Sequence, residues 1–204
     1  MTCQNWNVLE YQAQEQEPSM TYLRGFIPWI AYGIVAASVD WRWGAFTALA
    51  VSVFLTILDR RSGAKVDAQI LEVSAAVFFA VLTVVAFLAE DSSIHEYDSS
   101  LSFGWLALTA WVSLVIGKPF TEGIARREVP EKYWHTERFK RINIVITAAW
   151  AIAFTVTCAA VTLIFFLDGG QTVEIVVQAA GFVLPVVFTR WYRSKVAATA
   201  NQAL

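Results

Sequence analysis

Residues 142–167 read INIVITAAWAIAFTVTCAAVTLIFFL, a run with no Asp, Glu, Lys or Arg. A helix needs about 20 such residues to cross the roughly 30 Å hydrocarbon core of a bilayer. The run is longer than that, so it can tilt. It lacks the strict apolar–polar alternation of a membrane β-strand. The stretch therefore reads as a transmembrane helix, and it sets the terms for the rest of the chain.

Five further apolar runs accompany it: 22–39 (YLRGFIPWIAYGIVAASV), 41–58, 70–89, 101–116 and 173–188. The runs at 101–116 and 173–188 are short and need flanking residues to snorkel. The composition agrees, with 57% hydrophobic and only 16% charged residues in 204 and a mean hydropathy of +0.51. Soluble domains carry about 25% charge. The expected fold is an all-α, polytopic bundle of about six spans within residues 22–195. A polar tail at 1–21, read as disordered, precedes it, and a short tail at 196–204 follows. The first 20 residues lack a basic n-region and do not read as a cleavable signal. Cys3 and Cys158 are too few for a disulfide framework, and no bridge between them is expected.

Charge fixes the orientation. Six spans place 14 of the 15 Lys and Arg on one side, with Arg42 alone on the other. The loops on Arg42's side, EDSSIHEYDSS and DGGQTVE, are acidic or neutral. Basic residues collect on the cytoplasmic side of short loops, so both termini are expected there.

The longest basic connection is GKPFTEGIARREVPEKYWHTERFKRIN, residues 117–143. Pro119 and Pro130 each suit the start of a short helix. Phe120 and Ile124 share a face, as do Trp134, Arg138 and Ile142. The segment reads as an amphipathic connector with aromatics at headgroup level and bases toward anionic lipid. Lys118, Arg126, Arg127, Trp134, Arg138, Lys140 and Arg141 are its candidate lipid or partner contacts. His135 stands among them with no nucleophile or carboxylate placed to complete a triad.

Past the connector, Asn143, Thr147, Trp150, Phe154 and Cys158 form one helical stripe. Packing explains it, since polar side chains bond across membrane helices. A ligand or lipid groove lined by Asn143, Thr147, Trp150 and Phe154 is the alternative. Glu72 and Glu174 lie near span ends, and no span carries a buried charge pair. Gly44 with Ala48 and Ala76 with Ala80 suit close helix approach, and Pro185 is a candidate kink. No HExxH, paired CxxC or phosphate-binding loop is present. No metal, cofactor, catalytic residue or nucleic acid is expected.

The run Lys118-Pro119, then Pro130, Trp134, Asn143, Trp150 and Phe154, resembles the intracellular septation protein A family of bacterial inner-membrane proteins. The segments FIPWIAYG, DRRSGAK and FTRWYRSK sit where that family has similar ones, so the likeness spans roughly Tyr22 to Lys195. It implies a role in cell-envelope maintenance and septation, exercised through other envelope proteins, with no catalytic residues to carry over.

The resulting expectation is a non-enzymatic membrane protein acting through protein and lipid contacts. Its expected partners are membrane lipids and other envelope membrane proteins, with self-association open. A small-solute or lipid transporter, or an accessory subunit of a larger complex, are the alternatives.

Overall fold

A computed structural model describes residues 25–61, 69–89, 93–127 and 129–202. The tail at 1–21, Cys3, Arg24 and Lys65 lie outside them. Among the described residues every regular element is helical. The α-helices are α1 (Ile27–Ser38), α2 (Trp41–Arg61), α3 (Ile70–Leu88), α4 (Asp98–Val115), α5 (Phe120–Ala125), α6 (Glu137–Phe166) and α7 (Gln171–Gln202). Short 3₁₀ turns at Ser93–Tyr97 and Glu131–Tyr133 lead into α4 and toward α6.

Four helices are long and apolar enough to cross a membrane: α2, α3, α6, and α7 as far as Val196. This makes the chain a membrane protein. The other two apolar runs are also helical. With 12 residues, α1 extends about 18 Å at 1.5 Å per residue, short of the hydrocarbon core. The 18 residues of α4 open on Asp98-Ser99-Ser100, which lowers its apolarity.

Several boundaries differ from those expected. The sixth run continues as helix through FTRWYRSK to Gln202, because no Gly or Pro in that segment breaks a helix. Similarly, α6 begins at Glu137, five residues before the apolar run, where the Thr136 hydroxyl accepts from the Phe139 amide at 3.3 Å. Such a cap satisfies one of the orphan amides of a first turn. Pro185 lies inside α7, which runs through it.

Contacts at the helix ends sort them into two groups. At one end Arg127, just after α5, reaches Asp59 at the end of α2 and Glu72 at the start of α3. There too Arg138 of α6 donates to the Val196 carbonyl near the end of α7. At the other end Tyr32 of α1 bonds Asp98 at the start of α4. Gln178 of α7 bonds Ser99, and Cys158 of α6 donates to the Ser100 carbonyl. The first end carries the basic residues of the connector, and Arg42 lies at the other.

Between the ends, small residues let the helices approach. Gly44 and Ala48 are buried; a Cβ on Gly44 would sit 3.0 Å from the Ala36 Cβ and 3.1 Å from the Tyr32 carbonyl. That contact joins α1 to α2. A Cβ on Gly181 of α7 would run into Thr157 of α6. The core is aromatic: Phe26 stacks on Trp150 at 5.0 Å between centroids, and Phe103, Phe154 and Phe182 pack around them. Isoleucine, valine and leucine side chains remain exposed along α2, α3, α6 and α7, as a lipid-facing surface requires.

Candidate functional site

The basic end is built from the junction after α4. Gly117 adopts φ 70°, donating to Leu114 while Lys118 donates to the Ser113 carbonyl. This is the Schellman arrangement that ends helices on glycine. Pro119 follows at once and cannot continue the helix. The Ser113 hydroxyl then accepts from the Phe120 amide at 3.2 Å.

The helix expected at Pro119 forms, as α5, but it does not lie on the surface. Phe120, Thr121, Gly123, Ile124 and Ala125 are all buried. Phe120 meets the edge of Trp150. The Thr121 hydroxyl donates to the Asn143 carbonyl at 3.0 Å and pairs with the Thr147 hydroxyl at 2.7 Å. This short segment is tucked into the bundle, because its hydroxyl finds partners there and its apolar side chains leave water.

The second half of the connector differs from expectation as well. Residues 131–133 form a single 3₁₀ turn and α6 starts only at Glu137. Trp134 is therefore not on the α6 face that carries Arg138. Instead its indole donates to the Val129 carbonyl at 2.7 Å, with the Arg126 guanidinium 5.2 Å from its ring centroid. Arg126 also pairs with Glu122, one turn back in sequence.

Arg127 overturns the expectation that no span carries a buried charge pair, because Glu72, inside the run at 70–89, is its partner. Its Nη2 lies 2.9 Å from Asp59 and 2.7 Å from Glu72, the side chains being 18%, 7% and 3% exposed. A buried ion cluster thus joins α2, α3 and the residues after α5. The partners lie 68 and 55 residues away along the chain, so no local spacing announces them. Asp59 also falls one residue beyond the apolar run that was read as the second span. Gln69 Oε1, Arg126 Nε, Arg127 Nη1 and Asn143 Oδ1 are buried here without a protein partner, which is uncommon for buried polar atoms.

Of the seven candidate contact residues, Arg126, Arg127 and Trp134 are thus engaged within the protein. Lys118, Arg138, Lys140 and Arg141 are exposed, with Arg138 also donating to the Val196 carbonyl. Lys132 and Tyr133 are exposed beside them, with the Lys132 ammonium 4.9 Å from the Tyr133 ring centroid. His135 is exposed in the turn before α6.

Asn143, Thr147, Trp150 and Phe154 all fall in the buried core, none more than 2% exposed. Trp150 donates to the Thr189 hydroxyl at 3.1 Å, and the Asn143 amide donates to the Phe139 carbonyl. Their partners are other side chains and backbone of the bundle, the arrangement of a packing stripe. Cys158 continues the stripe onto Ser100.

The chain matches no known family model, no curated protein and no solved structure. The likeness to the septation family therefore rests on its sequence motifs alone.

Proposed function

We propose that this chain is a non-enzymatic, multi-pass protein of the bacterial inner membrane that supports envelope maintenance or septation through lipid and protein contacts. In this reading α1 and α4 complete six passes, both termini are cytoplasmic, and the basic end faces the cytoplasm. One observation carries the reading: the exposed basic row formed by Lys132 in the turn before α6 and by Arg138, Lys140 and Arg141 in its first turns. Arg127 and α5 fasten the preceding segment to the bundle, so the row is held in place against the membrane surface.

At 30 residues, α6 extends about 45 Å, beyond the roughly 30 Å core. Its first turns therefore project into the headgroup layer. Each base there gains about 1 kcal/mol from an anionic leaflet.

The test replaces Lys132, Arg138, Lys140 and Arg141 with Gln. Phosphatidylglycerol and cardiolipin retained through maltoside purification are then quantified by mass spectrometry. The expected result is loss of most of the anionic lipid retained by the unmodified protein. In cells lacking the chain, the variant is expected to restore normal septation less well than the unmodified protein. Equal lipid retention and equal restoration would remove the role assigned to this surface.

A further inference from the structure

At the end opposite the basic row, α1, α4 and α7 leave a cleft of about 720 Å³ between them. That volume lies within the range of small-molecule sites. Four carboxylates line it: Asp40, Glu96, Asp98 and Glu174. Arg42 pairs with Asp40 at 3.0 Å. The partners of Asp98 and Glu174 are neutral. Asp98 accepts from the Tyr32 hydroxyl at 2.6 Å and from Ser99; Glu174 accepts from the Gln178 amide at 2.8 Å. Among the described residues, no Lys or Arg lines the cleft. Arg42 thus offsets Asp40, while the negative charge of Asp98 and Glu174 is held by hydrogen bonds from neutral groups.

The deeper walls are aromatic, with Trp29, Tyr32, Phe103 and Phe182 contributing. Two of the lining residues also carry a polar atom with no partner. Trp29 and Ser102 are 8% and 9% exposed, and Trp29 Nε1 and Ser102 Oγ have no hydrogen-bond partner in the protein. Buried polar atoms are seldom left so. Both belong to the cleft: the Ser102 hydroxyl can accept from a guest N–H, and the Trp29 indole can donate to an oxygen or other acceptor elsewhere on the guest.

We propose that this cleft binds an organic ammonium ion, a protonated amine or a quaternary ammonium group. Carboxylates supply the countercharge, and the aromatic side chains of the lining offer the cation–π attraction that such groups find in aromatic cages. A bare divalent cation fits less well, since among the described residues no three His, Cys, Asp or Glu side chains come together as a metal site. The ammonium can belong to a soluble amine or to the headgroup of an ethanolamine lipid, and the two share this recognition chemistry. The proposal is independent of the role assigned to the basic end.

The experiment titrates benzyltrimethylammonium into the full-length protein in neutral maltoside detergent, by calorimetry. Benzyl alcohol is the uncharged control. The expected result is saturable binding of the cation, with no saturable binding of the alcohol. Asp98→Asn and Glu174→Gln are each expected to weaken it about tenfold, the scale of a charge-assisted contact. Glu96→Gln serves as the variant that cannot disturb packing, because Glu96 is exposed; it is expected to weaken binding severalfold. A parallel titration adds short-chain phosphatidylethanolamine or putrescine as competitor. Displacement by the lipid assigns the site to a headgroup, and displacement by putrescine alone assigns it to a soluble amine. Absence of saturable cation binding, equal binding of the alcohol, or unchanged affinity in all three variants would overturn the proposal.

Discussion

Replacing Arg127 with Met removes the one guanidinium that Asp59 and Glu72 share. Both carboxylates stay behind in a place where they are 7% and 3% exposed. Deleting one partner of a buried pair typically costs about 3–5 kcal/mol, because the remaining charge loses its compensation but not its burial. That is a large share of a total stability of about 5–15 kcal/mol. Arg127→Lys is expected to fall between wild type and Arg127→Met, since an ammonium can donate to both carboxylates as the single Nη2 does, but on a stem of different reach that does not place it there as well. The triple variant Arg127→Met, Asp59→Asn, Glu72→Gln removes all the charge together. It is expected to recover most of the loss, as replacement of a whole buried ion cluster often does. The assay is reversible unfolding by SDS in mixed micelles, followed by Trp fluorescence, on the wild type and the three variants. Two results would refute the reasoning. One is an Arg127→Met protein as stable as wild type. The other is a triple variant no more stable than Arg127→Met alone.

Trp150→Ala is expected to cost about 3–5 kcal/mol, since the ring is 1% exposed and stacked on Phe26. The same unfolding assay reads this, and retained lipid should be unchanged; lipid loss at unaltered stability would restore the groove reading of the α6 stripe. Gly181→Ala should destabilise by about 1–3 kcal/mol, although alanine ordinarily favours a helix, because its Cβ would meet Thr157. Combining it with Thr157→Ala should remove most of that penalty, and a double-mutant cycle with no coupling would contradict the contact.

The membrane helices were legible because an uncharged run such as 142–167 has few other homes. Legible too was the helix that starts at Pro119, since proline suits a first turn; its burial was not, because the segment reads as a surface connector and only its partners in the bundle draw it in. The small residues Gly44 and Ala48 announced a close approach, and the structure has one. Less legible were the ends. The apolar pattern stops where charge begins, but the backbone of α6 and α7 remains helical for several residues beyond it. Burial of charge was not legible at all. Arg127 sat in a basic cluster that reads as a solvated surface, and nothing local distinguishes it from Lys140, which is exposed. Only the folding back of α5 brings it to Asp59 and Glu72. The acidic cleft was hidden for a similar reason. Its carboxylates come from the α1–α2 turn, the start of α4 and the start of α7, each unremarkable in its own loop.

The orientation of the bundle bears most directly on the proposed role, and one labelling experiment reads it. Single cysteines at Lys132→Cys, beside α6, and Thr172→Cys, at the start of α7, are placed in a background in which Cys3 and Cys158 are Ser. Intact cells with a permeable outer layer are treated with a membrane-impermeant maleimide. The expected result is labelling of Thr172→Cys in intact cells and of Lys132→Cys only after the inner membrane is opened. Labelling of Lys132→Cys in intact cells with protection of Thr172→Cys would turn the basic row away from the cytoplasm and contradict the role assigned to it.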